Sequence, residues 1–234
     1  MKIGIMQPYI FPYLGYFQLI KAVDVFVFYD DVNFIKRGWI NRNKLLVNGE
    51  EYMFTIALSK ASQNKLINEV LLLNKVETKN QLLKTLKHNY KKAPYFDNVY
   101  FLVDEILSKE TNKTIADLAI NSVVGVSEYL GLNKTFEKSS ISCNDTKGQN
   151  KADRLINITK DRGGDFYINP IGGLELYNKD YFLKQGVTLK FIKNELTSYK
   201  QFENQHVKGL SIIDVLMFNS KEETIKLIEN YKLI

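Results

Sequence analysis

The chain has 234 residues, 45% hydrophobic, 12% aromatic and 25% charged, and 32 Lys and Arg against 26 Asp and Glu give a net charge of +6. These proportions suit a globular protein with a buried core and exclude a disordered chain, a collagen-like fibre and a membrane bundle. A single cysteine, Cys143, excludes an internal disulfide, and with two histidines it argues against a structural zinc module. The positive balance favours anionic partners such as nucleotides, sugar nucleotides, nucleic acid or a lipid headgroup layer.

The N-terminal apolar stretch is broken by Gln7-Pro8 and Pro12, with no signal-peptide ending, and no run of about 18 apolar residues occurs. The expectation is a cytoplasmic protein with no transmembrane segment. Lys2 to Met6 reads as a buried first strand, Pro12 to Val23 as a helix with Leu14, Phe17, Leu19 and Ile20 inward, and Asp24 to Tyr29 as a second buried strand. Strand, helix and strand in so short a span start a βαβ unit with a parallel sheet.

Asp30 to Asn43 is irregular and mixes acids, bases, a Trp and a Phe. Leu45 to Leu58 reads as a hairpin turning at Asn48-Gly49, with a further strand near Ile67 to Leu72. Three helices are expected over Lys79–Lys91, Asn98–Lys109 and Thr114–Leu130. Thr135 to Ser142 reads as a strand, Asn144 to Asn150 as a polar loop, and Lys151 to Arg162 as a helix stopped by Gly163-Gly164. Phe166 to Asn169 is a short strand, Tyr177 to Lys184 a helix, and Val187 to Ile192 the last strand. Leu210–Phe218 and Lys221–Tyr231 close the chain as helices. The fold class predicted is α/β: an open, mostly parallel, Rossmann-like sheet with helices on both faces. Residues 1–234 form a single domain, with residues 77–131 a helical insertion or lobe within it.

Ligands of such sheets bind beyond the carboxyl ends of the strands. Three constellations fall there. The first is the loop after strand one, with Gln7, Pro8, Tyr9, Tyr13, Gly15 and Tyr16. The second follows strand two: Asp30 and Asp31, then Lys36, Arg37, Trp39, Asn41 and Arg42. A carboxylate here can bind ribose, hold a metal or act as a base. Trp39 can stack on a base or sugar. Only four residues of the chain are arginine, so Arg37 and Arg42, five apart, suit a forked grip on phosphate. The third joins Lys151 to Arg154 with Asn169, Gly172, Gly173 and Tyr177, where the glycine pair can form an anion nest. In a fourth group, Ser211 or Asp214 caps a helix, or Asp214 is a buried partner for an arginine. His88 and His206 are further acid–base candidates, and Cys143 lacks a basic partner close in sequence.

The stretches MQPYIFPYLGYFQLI, DVFVFYDDVNFIKRGWINRN, YINPIGGLELY and YKQFENQHVKGLSIIDVLMFN resemble the WbqC-like proteins, over nearly the whole chain. Members of that family occur in gene clusters for O-antigen and other surface polysaccharides. The resemblance implies transfer of glycine, or another amino acid, onto an amino sugar. The expected activity is therefore an aminoacyl- or acyltransferase making an amide on a nucleotide-linked 4-amino-4,6-dideoxy sugar. Asp30 or Asp31, or else His88, is the expected base, and Lys36, Arg37 and Arg42 clamp the diphosphate. No metal ligand is assigned. ATP with Mg2+, or an aminoacyl-tRNA, is the expected source of the acyl group, and a homodimer is a further expected partner. The alternatives are a nucleotidylyltransferase-like enzyme and a non-catalytic sugar-nucleotide-binding protein. Tyr13-Leu14-Gly15-Tyr16 stands where the former would carry a His-x-Gly-His turn.

Overall fold

Strand β1 (Lys2–Met6), helix α1 (Leu14–Ala22) and strand β2 (Val25–Phe28) make the expected opening unit, and the two strands pair in parallel with Ile3 opposite Val25. The structure is a computed structural model and describes residues 1–203 and 205–234. A hairpin follows, β3 (Arg42–Val47) against β4 (Glu50–Thr55). Asn48 and Gly49 turn it at φ 52° and 82°, the left-handed pair that a two-residue turn between twisted strands requires. Short β5 (Leu58–Ser59) and β6 (Leu71–Leu72) pair with each other. Helices α2 (Lys75–Tyr90), α3 (Phe96–Ser108) and α4 (Ile115–Tyr129) come next, the last opened by a Thr114–Asp117 capping box. Then follow β7 (Thr135–Lys138), α5 (Ser139–Ser142), α6 (Lys151–Asp161), β8 (Phe166–Pro170), α7 (Lys179–Lys184) and β9 (Thr188–Asn194). The chain closes with α8 (Ile212–Phe218), α9 (Lys221–Glu229) and β10 (Tyr231–Leu233).

The main sheet runs β10-β9-β8-β1-β2-β7, with β10 antiparallel to β9 and its other pairs parallel. The chain builds outward from β1 through β2 to β7, then returns to the other side of β1 with β8. That reversal makes a topological switch point between β1 and β8, beyond whose carboxyl ends ligands of open α/β sheets usually bind. Alternation assigns the faces. Ile3, Ile5, Val25, Val27, Tyr167 and Phe191 pack with α6 and α7, whereas Phe26, Phe28, Ile168 and Ile192 pack with α1, α8 and α9. The buried residues of α2, α3 and α4 belong to this second cluster as well.

Three sequence-based expectations need correction. Thr135 to Ser142 is not one strand: it breaks after Lys138 and becomes α5, because its serines bond the end of β2 instead of a neighbouring strand. Ile67 to Leu72 is a strand only at Leu71–Leu72, after a 3-10 turn at Ile67–Glu69. The closing helix stops at Glu229, and Tyr231–Leu233 returns to the sheet as β10, so β9 is not the last strand.

Candidate functional site

The loop after β1 is held by parts of the chain far away in sequence. Its centre, Phe11, is fully buried with φ 40°, a left-handed backbone that a bulky residue keeps only when its surroundings impose it. Ser122 of α4 accepts from the Phe11 N–H at 2.9 Å. The Phe11 carbonyl accepts from the Ser211 hydroxyl at 2.7 Å and from the Asn43 amide. Ser211 is also the N-cap of α8, accepting from Ile213 N–H, and its own N–H donates to the Lys44 carbonyl. The apolar helix α8 thus begins with a serine that both caps it and clamps the loop after β1. Gly15 is needed for packing: a Cβ there would run into the Tyr13 ring and the side chain of Asn194 in β9, whose amide donates to the Gly15 carbonyl at 3.2 Å.

This clamp brings the first two constellations together. The Ile10 N–H donates to the Ile40 carbonyl at 3.1 Å, and the Tyr9 and Trp39 ring centres lie 6.1 Å apart. Tyr9 also meets Tyr13 and Tyr16, and the Tyr16 hydroxyl donates to the Gln7 carbonyl at 2.9 Å. Two cations lie over the Trp39 ring, Arg42 at 5.5 Å and Lys44 at 5.8 Å. Trp39 remains 44% exposed. The result is an aromatic wall edged by Arg42 and by Lys44, the latter also paired with Glu51. Burial, then neighbouring Tyr13, pushes the Tyr9 hydroxyl well up, and burial raises Tyr13 and Tyr16 too. These phenols are donors and apolar surfaces, and they are not bases near neutral pH.

Within the wall the residues divide. Lys36 and Arg37 are exposed, with Arg37 at φ 59°. The Arg42 guanidinium turns onto the loop itself, donating to the carbonyls of Arg37 and Gly38, so it does not extend beside Arg37 as a forked pair. Asn41 is spent on the hairpin, its amide donating to the Ile56 carbonyl at 2.9 Å. Pro8 is buried.

At the end of β2 both carboxylates are occupied. Asp30 accepts from the Ser140 N–H at 3.0 Å and the Ser140 hydroxyl at 2.7 Å, and from the Ser139 hydroxyl. This is what starts α5. Asp31 pairs with Arg154 of α6 at 2.6 Å, their side chains 2% and 5% exposed, and also accepts from Ser139. The Arg154 guanidinium lies 4.7 Å over the Tyr29 ring and donates to Thr146. Burial disfavours its charge, but Asp31 and Tyr29 more than compensate and hold its pKa above the ordinary arginine value. Asp30 and Asp31 therefore lock α5 and α6 to the sheet edge.

Across the switch point, Asn169, next to last in β8, accepts at its amide oxygen from the Tyr167 hydroxyl at 2.9 Å. A Cβ at Gly173 would overlap the Asn169 amide, whereas Gly172 faces open space. Tyr177 and Tyr29 both pack at the margin of the α6–α7 core. His88 lies elsewhere, on the exposed side of α2 among lysines. Asp214 has no arginine partner among the described residues; it accepts from Tyr90, Tyr199 and Gln201. Burial pushes the Cys143 thiol up to about 11, which leaves it a poor nucleophile. Ser139, Ser140, Asn43 and Ser122 give the sequence no local signal, because each acts on a residue far along the chain.

An open doubly wound sheet with aromatic, amide and charged residues gathered at its carboxyl edge defines an α/β protein of the Rossmann-like class. The chain belongs to the WbqC-like protein family, whose model matches residues 7–226. It is 24% identical over 220 residues to "Uncharacterized protein Rv1507c" of Mycobacterium tuberculosis (strain ATCC 25618 / H37Rv), with 93% of each chain covered. No solved structure matches it. Among the described residues no helix is long and apolar enough to cross a membrane.

Proposed function

We propose that this protein transfers an aminoacyl or acyl group, glycyl being the first to test, onto the amine of a nucleotide-linked amino sugar used in surface polysaccharide assembly. The observation that carries this reading is the joining of the two early loops: half-buried Tyr9 and exposed Trp39 form one aromatic wall with Arg42 and Lys44 over the indole. Such a wall suits a flat base or sugar face beside an anionic diphosphate. Exposed Lys36 and Arg37, which join no ion pair among the described residues, are the cations nearest in sequence for the diphosphate. Gln7 follows β1, and Asn169 and Gly172 stand at the end of β8, so all three lie at the same carboxyl edge of the sheet.

In the reaction the amine nitrogen attacks the acyl carbonyl. The C–N bond forms, the carbonyl's bond to its leaving oxygen breaks, and the amine proton passes to that oxygen. With Asp30 and Asp31 bound to α5 and α6, they position the edge of the site and the departing oxygen takes the proton. Proximity supplies the acceleration, roughly 7–11 kcal/mol at best. The acyl donor is an aminoacyl ester of tRNA, or an adenylate made from ATP with Mg2+.

The test is to incubate the protein with a dTDP-linked 4-amino-4,6-dideoxy sugar, supplying glycyl-tRNA in one arm and glycine with ATP and magnesium in another. A glycine-sized mass increment on the sugar nucleotide is expected in one arm. Pyrophosphate release with a new nucleotide conjugate would instead make it a nucleotidylyltransferase. A ligand-induced rise in Tm with no product would make it a binding protein.

A further inference from the structure

The positive charge of this protein is concentrated in one place. From Thr78 to Phe96 there are five lysines and no acid, so the net +6 less these five leaves +1 for the rest of the chain. Lys84, Lys87, His88, Lys91 and Lys92 line one cleft of about 600 Å³ with Phe202 on its wall. Among the described residues none of these four lysines joins an ion pair, whereas Lys79 on the same helix pairs with Asp104. The arrangement works against the helix. Lys84 and Lys87 are three apart and Lys87 and Lys91 four apart, spacings at which like charges repel. The negative end of the helix dipole favours Lys87 and His88 in the last turn, but it accounts for neither Lys84 nor Lys92.

We infer that this cleft docks a single-stranded phosphodiester chain. Lys84 to Lys91 span about 10 Å of helix. That is a row of mobile point charges suited to tracking a backbone, with no buried guanidinium fork for one phosphate. Phe202 is half-buried, packed edge-on against Phe218 at 4.7 Å, and supplies an aromatic surface for a base. A concave cleft with one aromatic wall fits a strand better than it fits a flat lipid layer. The loop that carries Phe202 is tied to α2 through Asp214, which accepts from Tyr90 at 2.7 Å and from Gln201. The groove is thus prebuilt. It stands independently of the transfer reaction; joined to it, it assigns the donor as an RNA-borne aminoacyl ester.

The experiment measures fluorescence anisotropy of the full chain with labelled single strands of about 15 nucleotides, RNA and DNA of one sequence, across a salt series. No acyl group or sugar nucleotide is present, so failure here leaves the transfer reading standing. The wild type is expected to bind, with tighter RNA than DNA binding pointing to a tRNA end and equal binding to recognition of backbone alone. Replacing Lys84, Lys87, Lys91 and Lys92 by Gln, all exposed positions, should weaken binding about tenfold or more. It should also lower the magnitude of the salt slope by about 3, at about 0.7 per phosphate contact. Replacing exposed Lys147, Lys160, Lys184 and Lys193 by Gln changes the charge equally and should leave binding within about twofold. Equal loss in both variants overturns the inference, as does binding to vesicles containing phosphatidylserine with none to either strand. Thermal melts of both variants confirm that they are folded.

Discussion

Replacing Asp31 by alanine is expected to lower stability by about 3–5 kcal/mol, because it strands the Arg154 guanidinium in a buried site. For a chain of this length that is roughly 6–20 °C in Tm. The pair fastens the carboxyl end of β2 to α6, and Arg154 also stacks on Tyr29 and bonds Thr146, so its loss loosens that edge of the sheet. Removing both charges, with Asp31→Leu and Arg154→Met together, should recover most of the loss, since two well-packed apolar groups carry no desolvation cost. The comparison is made by urea or thermal unfolding of the three proteins. An Asp31→Ala variant within about 0.5 kcal/mol of wild type would contradict this role. For the same reason, lost turnover in Asp31→Ala is no evidence that Asp31 is a base unless the fold is shown to survive.

Asp214→Ala should cost at least about 2 kcal/mol. The Tyr90 and Tyr199 hydroxyls and the Gln201 amide donate to this fully buried carboxylate, at 2.7, 2.6 and 2.6 Å; Gln201 also reaches the Val207 carbonyl, so the loss strands the two hydroxyls, each unsatisfied donor costing about 1–3 kcal/mol. The same group gives a pH signature. Burial raises its pKa above the ordinary carboxyl value, against the pull of the Tyr199, Tyr90 and Gln201 hydrogen bonds. A carboxyl with a raised native pKa binds its proton more tightly when folded. Its contribution is therefore complete below the unfolded carboxyl range and is lost as pH rises through the native value. The stability difference between wild type and Asp214→Asn should shift against wild type over that window and level off above it. A pH-independent difference would show that Asp214 titrates as it does in the unfolded chain.

The sheet was legible where strands are buried on both faces. KIGIM and VFVF read as continuous apolar runs, and the Asn48-Gly49 turn has a local conformational cause. The elements that were misread are those made by distant partners. Ser139–Ser142 has no helix signal of its own; the Asp30 carboxylate, more than 100 residues earlier, bonds its first turn. Tyr231–Leu233 continues the apolar spacing of α9, so only pairing with β9 reveals a strand.

At the carboxyl edge of the sheet, the adjacent acids and scarce arginines mix two kinds of residue. Arginine is scarce in this chain, and its planar fork also serves architecture: Arg154 pairs with Asp31, Arg162 with Glu137 at 2.9 Å, and Arg42 holds its own loop. The residues left exposed at this edge are Trp39, Lys36 and Arg37, with Tyr9 half-buried behind them. GLSIID, legible as a helix start, gains its meaning from Ser211 gripping the Phe11 carbonyl on the far side of the sequence.

The most direct measurement is calorimetric titration of a dTDP-linked 4-amino-4,6-dideoxy sugar into wild type and Trp39→Ala. Saturable binding is expected in wild type, and loss of the indole should weaken it about fivefold to a hundredfold, the roughly 1–3 kcal/mol typical of base stacking on an aromatic ring. Equal affinity in the two proteins, or no binding to wild type, would place the ligand somewhere other than the wall where Tyr9 meets Trp39.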